Sequence, residues 1–181
     1  MIPTIVLSDK KLGLGGRGFS EVDYKPRERK TARAILFNNN GCINVQFLQN
    51  LGIHKLPGGG VKQDETIEQA LEREILEEVG CLYSSHRLFA TVIEDRVKGK
   101  LFQISHCFIA KVSGVIGTPI IDEKEVSEGQ VNFWLPPEEV FAKMKNEQVV
   151  LASQPENYRE RFVNARELFF LGEFLKNHYK N

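Results

Sequence analysis

The stretch that most constrains this chain is REILEEVG, residues 73–80, which closes a segment marked at both ends as a helix. Thr66 followed three residues later by Gln69 is a capping-box pattern, so the helix begins at Ile67, and Gly80 suits the left-handed position that ends one. At about 100° per residue, Ile67, Leu71, Ile75 and Val79 fill an arc of about 120° that has to be buried. Glu74, Glu77 and Glu78 fill the neighbouring arc of about 100°, with Glu78 abutting the apolar stripe. Like charges at these spacings repel by about 0.2–0.5 kcal/mol per pair, and the negative end of the helix dipole adds up to about 1 kcal/mol per carboxylate. A solvated acidic face would lie opposite the stripe, yet Gln69 and Arg73 occupy that side. Leu76 also lies off the stripe, which suggests a second covering surface. A divalent cation is the natural counter-charge, and hard oxygen ligands in a partly open site suit Mg²⁺ or Mn²⁺ together with substrate phosphates.

The rest of the chain reads as mixed α and β. TARAILF and CINVQFL flank the turn signal NNNG, LPGGG leads into the acidic helix, and stretches 87–97 and 100–112 meet at KGK as a hairpin. A loop rich in Gly, Asp and Glu follows, then a strand VNFWL, a helix opened by the prolines of PPEEVFAKMK, and a terminal helix over about 155–179. Before these elements stand a short apolar start, the bend GLGGRG and the basic run YKPRERK. The mixed order implies one α/β domain spanning residues 1–181. The terminal helix, with Phe162, Leu168, Phe169, Leu171 and Phe174, has an apolar face for its own domain or for a homodimer partner.

Lys plus Arg and Asp plus Glu both total 24, and a formal net charge of zero argues against stable nucleic-acid binding or attraction to an anionic membrane. No apolar run reaches the ~20 residues of a bilayer span, and the first residues are charged too early for a signal peptide, so a cytoplasmic protein is expected. Cys42, Cys81 and Cys107 form no CxxC pair, which points to buried, reduced thiols.

From Gly59 the sequence GGVKQDETIEQALEREILEEVGC resembles the Nudix box, G-x5-E-x7-R-E-U-x-E-E-x-G-U with U a bulky aliphatic. Gly59, Glu65, Arg73, Glu74, Ile75, Glu77, Glu78 and Gly80 fall on its positions, and only Cys81 departs, as a small hydrophobe where an aliphatic is usual. The resemblance implies a Nudix-type α/β/α sandwich with a mixed β-sheet plus a C-terminal helix, and a Mg²⁺-dependent hydrolase (Mn²⁺ as an alternative) of nucleoside diphosphates linked to another group. It further implies that Glu74, Glu77 and Glu78 hold the metal with the backbone carbonyl of Gly58. Glu65 and Arg73 would pair as a brace between loop and helix. A distal acid is expected before the VNFWL strand: Glu128 is the first choice, with Glu125 and Glu94 behind it, and Glu74 or Glu128 would be the general base. Arg33, Lys55 and the YKPRERK run are placed either on substrate phosphates or on a solvated strand edge.

For the substrate, family signatures work by elimination. There is no upstream signature of the coenzyme A group, SQP at Ser153 lies far past the box, and EDRVKG stands where ADP-ribose members carry a proline and diadenosine-polyphosphate members a tyrosine. This leaves a MutT-like nucleoside triphosphate pyrophosphatase, oxidised purine nucleotides included, as the leading expectation for a small-molecule nucleotide substrate. ADP-ribose, nucleotide-sugar or dinucleoside polyphosphate hydrolysis, RNA decapping, and a nucleotide-sensing domain without turnover are the alternatives.

Overall fold

A computed structural model of the chain describes residues 1–15, 25–120, 122–154 and 156–178. In chain order the elements are β1 (Thr4–Ser8), β2 (Arg27–Phe37), β3 (Ile43–Leu48), β4 (Ile53–Lys55), β5 (Gly58–Gly60), α1 (Ile67–Val79), β6 (Leu82–Arg96), β7 (Leu101–Ser113), α2 (Glu123–Glu128), β8 (Gln130–Leu135), α3 (Pro137–Ala152) and α4 (Tyr158–His178). The strands join in one mixed sheet of order β1-β6-β7-β2-β3-β4, with β5 added to β2 and β8 to β3. β1 runs parallel to β6 and β2 parallel to β7, while the other pairs are antiparallel.

Alternation along β2 builds two cores. Ala32, Ala34 and Leu36 point to the α1 side and pack with Ala70, Leu71, Ile75 and Val79, whereas Ile35 and Phe37 point to the other side, where α3 and α4 lie. The result is the expected α/β/α sandwich. The stripe forecast on α1 is the one buried, and complete burial of Leu71 and Ile75, at about 1.5–3 kcal/mol each, outweighs the mutual repulsion of the glutamates. α4 packs on its own domain: Phe162, Phe170 and Leu171 are fully buried there with Val140 and Met144 of α3.

The caps follow the sequence closely. Thr66 accepts from the Gln69 N–H while the Gln69 side chain accepts from the Thr66 N–H, and Gly80 ends α1 in the left-handed region at φ 74°. Asn38 Oδ1 accepts from Asn40 and Cys42 to tighten the NNNG turn, but β2 and β3 pair only at Phe37 and Ile43, because β3 leaves to pair with β4 and β8.

Four expectations are corrected or narrowed. Leu76 is 48% exposed, so among the described residues no second surface covers it. The loop before VNFWL contains α2, whose own capping box joins Asp122 and Glu125. β2 is an interior strand between β7 and β3 with β5, so Arg33 is no edge residue. The GLGGRG bend is described only to Gly15, and residues 16–24 with most of its basic neighbourhood lie outside the described residues. Among the described residues no helix is long and apolar enough to cross a membrane. Truncating Phe170 to Ala should cost about 3–5 kcal/mol in urea-denaturation midpoints, since its ring is fully enclosed between α4 and the sheet.

Candidate active site

Glu78 sits where three short elements meet. It is 1% exposed, its Oε1 accepts from Lys55 Nζ of β4 at 2.9 Å, and its Oε2 accepts from the Gly58 N–H of β5. Burial alone would raise the affinity of this carboxyl for a proton. Lys55, the field of Arg33 and the Gly58 amide reverse that and hold it below the ordinary range. Gly58 is required on two counts: its φ is +126°, and a Cβ there would stand 2.1 Å from the Ala32 carbonyl oxygen.

Glu74 lies one turn earlier against the backbone of Gly59, where an added Cβ would meet Glu74 Oε1 at 2.3 Å. Burial and the Glu78 charge raise its pKa. Glu77 points to the outer side of α1, with its side chain 44% exposed, into a recess it shares with Arg73, Glu74 and Glu125. Arg73 commits all five donors: two to Glu65 at 2.6 and 2.9 Å, one each to Glu74 at 2.8 Å and Glu77 at 3.0 Å, and one to the Gly60 carbonyl at 3.0 Å. Loop and helix are thereby tied together through the Glu65–Arg73 pair.

The helix end that gathers these anions is also well capped. The carbonyls of Leu76, Glu77 and Glu78 accept from Gly80 N–H, Ile120 N–H and Asn132 Nδ2, at 3.0, 2.7 and 2.8 Å. Their partial negative charge is thus engaged before it meets the carboxylates.

α2 brings two further acids. Glu125 stands against Glu78, and burial with that contact pushes its pKa up to about 7. Glu128 is buried and receives Arg159 Nη1 at 2.9 Å. Both line the main cleft, but Glu125, second choice in the sequence, is the one in contact with the box. Its signal was the Asp122-x-x-Glu125 capping pattern, which fixes the turn that presents it. Glu94 lies deeper, fully buried with Arg96 at 2.7 Å and Arg166 at 3.2 Å.

The cleft has a volume of about 400 Å³, in the range of small-molecule sites. Its lining brings together Glu74 and Glu78 of α1, Asp122, Glu125 and Glu128 at α2, and Arg27, Arg29, Arg33, Arg96, Arg159 and Arg166 of β2, β6 and α4, with Lys55 of β4. Of the expected phosphate contacts, Arg33 is buried and donates Nη1 to the Leu56 carbonyl at 3.0 Å, and Lys55 is engaged by Glu78. Arg27 and Arg29 belong to the YKPRERK run, expected either on substrate phosphates or on a strand edge, whereas Arg96, Arg159 and Arg166 carry no local signal because they come from β6 and α4. Among the described residues no three acidic, His or Cys side chains converge on one point. A closed cage does not fit such a set. A hydrated divalent ion held by one or two carboxylates and completed by water and phosphate oxygens does, and the raised pKa of Glu74 marks negative charge that a cation would relieve.

Two outcomes test this geometry. Gly59→Ala should expel the Glu74 carboxylate and abolish divalent-cation binding measured by calorimetry, while shifting the melting temperature by only a few degrees, about 1 kcal/mol. Glu65, held down at about pKa 2 by Arg73, lies below its unfolded value of about 4.3, so its contribution is complete above that value and fades as pH falls through about 2. A Glu65→Gln variant should accordingly show its full stability deficit at pH 7 and a shrinking one below pH ~4; a deficit constant with pH would refute the brace.

An RNA pyrophosphohydrolase of Psychromonas ingrahamii (strain DSM 17664 / CCUG 51855 / 37) is 40% identical over 65 residues, 35% of either chain, so the match spans about a third of that relative. The NUDIX domain of Shewanella oneidensis NrtR, solved as a complex with ADP ribose, superposes with a TM-score of 0.51 at 20% identity, covering 68% of this chain and 82% of that one. A MutT NUDIX hydrolase of Burkholderia pseudomallei superposes with a TM-score of 0.50 at 21% identity, covering 62% and 85%. These likenesses show a shared fold. The NUDIX domain family model matches residues 27–154, well over half of the sequence, and the chain belongs to that family.

Proposed function

We propose that this protein is a Mg²⁺-dependent hydrolase of the diphosphate linkage in nucleoside diphosphate derivatives, a nucleoside triphosphate being the first-choice substrate. The observation that carries the reading is the cleft itself, a space of ligand size lined both by carboxylates of α1 and α2 and by arginines of β2, β6 and α4. A divalent ion bound at the carboxylates would neutralise phosphate oxygens and lower the pKa of an attacking water. The chain's own part is positional. Glu78, fixed by Lys55 and Gly58, stays ionised as an anchor, and Arg73 with Glu65 keeps Glu74 and Glu77 in register. Glu74, whose proton affinity is raised by burial and by Glu78, is the group suited to accept the proton of the attacking water. Glu128, paired with Arg159, supplies fixed negative charge on the α2 side.

A second reading, hydrolysis at the 5′-triphosphate end of RNA, is favoured by the likeness to the Psychromonas ingrahamii RNA pyrophosphohydrolase, over the third of its length that matches. The two readings separate in one assay. Purified protein with Mg²⁺ is offered canonical and oxidised nucleoside triphosphates, ADP-ribose, nucleotide sugars, diadenosine polyphosphates and 5′-triphosphorylated RNA, with released phosphate and pyrophosphate measured. Turnover of free triphosphates is expected to exceed that of the RNA, and Glu77→Gln and Glu78→Gln should each lower kcat by about 10²-fold or more. Unchanged Mg²⁺-dependent hydrolysis in Glu78→Gln would sink the catalytic reading, and tight nucleotide binding without any turnover would make the protein a sensor.

A further inference from the structure

The family match ends at residue 154, yet the cleft does not. Its far wall is made by Arg159, Val163 and Arg166 of α4, facing Arg29 and Arg33 of β2. The sheet explains why the charges collect there. Residues Arg27, Arg29, Thr31, Arg33, Ile35 and Phe37 share one face of β2 by alternation, so a single face passes from apolar under the second half of α4 to basic under its first half. Their parallel neighbours on β7, Gln103 beside Arg29 and Ser105 beside Thr31, continue the polar zone.

The protein's own acids leave this zone under-compensated. Arg166 is matched by Glu94 at 3.2 Å and Glu167 at 2.6 Å, and Arg159 by Glu128 at 2.9 Å. Arg29 makes no ion pair with a described residue and lies in the fields of Arg33, Arg166 and Arg27, which with burial lower its pKa to about 10. Arg33 is 7% exposed, lines the cleft, and its buried Nε has no hydrogen-bond partner. Folding like charges together and leaving a guanidinium N–H unsatisfied costs stability unless an anion arrives to use both.

We propose that Arg29 and Arg33 of β2, with Arg159 and Arg166 of α4, form a second anion subsite that holds phosphates beyond the diphosphate facing the carboxylates. The inference rests on the proposed hydrolase reading and narrows its substrate class to chains of three or more phosphates, selected by chain length. It also makes α4 a wall of the substrate cleft as well as a support for the sheet.

The test uses the intact chain and inorganic probes without divalent cation, so that it reads this subsite separately from hydrolysis. Pyrophosphate, tripolyphosphate and tetrapolyphosphate are titrated calorimetrically at low and moderate salt. Tripolyphosphate should bind about tenfold more tightly than pyrophosphate, with an advantage that weakens as salt rises. In Arg29→Gln and in Arg159→Gln, both chosen because Arg166 is too deeply buried to alter safely, the affinity ratio should collapse toward one; Lys111→Gln, an exposed charge at the far end of β7, should preserve it. In turnover, the KM for a nucleoside triphosphate should rise about tenfold in Arg29→Gln while kcat falls much less. Equal affinity for pyrophosphate and tripolyphosphate, or a ratio untouched by either arginine variant, overturns the subsite even if the enzyme is active. A graded ladder in a protein that hydrolyses nothing upholds the subsite and removes the catalytic reading.

Discussion

The site depends on the burial of one carboxylate. Moving an ionised glutamate out of water costs several kcal/mol unless it is paired and hydrogen-bonded, and Glu78 is nearly inaccessible. Its compensation comes from separate parts of the chain: Lys55 from β4, the Gly58 amide from β5 and the field of Arg33 from β2. Each requires a definite backbone path. Gly58 reaches Glu78 because it can lie against the Ala32 carbonyl in a conformation open to glycine, and Lys55 reaches it because β4 turns back along β3. The geometry of the glycine loop, the β3–β4 pair and the last turn of α1 is therefore one electrostatic constraint seen from three sides.

From that anchor the neighbouring glutamates take distinct environments. Glu74 is trapped between Gly59 and Arg73, Glu77 stays half open to solvent, and Glu125 has its pKa raised by burial and by the contact with Glu78. Residues of one type, three of them within five positions of a helix, thus differ in partners and exposure. Arg73 is what prevents their mutual repulsion from opening the last turn, since a planar guanidinium with five fixed donors can reach two helix carboxylates, the loop acid and a loop carbonyl together, which a lysine cannot.

Much of this was legible in the chain. The stripe, both caps of α1 and the adjacency of Glu78 to the buried face follow from helical period and short-range capping rules, which act over a few residues and need no tertiary information, whereas the Glu65–Arg73 pair was implied by the resemblance to the Nudix box. Leu76 failed because periodicity says which side a residue is on and cannot say whether another surface is present there. α2 was hidden in a polar loop: six residues are too short for a period to emerge, and only its capping box marked it. Both acids weighed for the distal position, Glu128 first and Glu125 behind it, line the cleft, and which of them stands nearer the box turns on how a single short helix docks against α1.

The arginine wall was the least legible part, and net charge explains why. A formal charge of zero was taken to disfavour polyanionic partners, but that sum is blind to segregation. Here acids of α1 and α2 and arginines of β2, β6 and α4 are gathered into one cleft, and a field of that kind is set by separations of a few ångströms, shorter than the Debye length of about 8 Å at physiological salt. The sorting is produced by alternation: every second residue of RERKTARAILF falls on one face, so basic residues that look interspersed with Glu28 and Ala32 become a stripe once the strand is formed. α4 then lies over both halves of that face, burying the apolar one and leaving the basic one as a cleft wall. The same helix that completes the core thus bears on how much positive charge the cleft retains, because among the described residues Glu94, Glu128 and Glu167 are the acids that pair with Arg159 and Arg166.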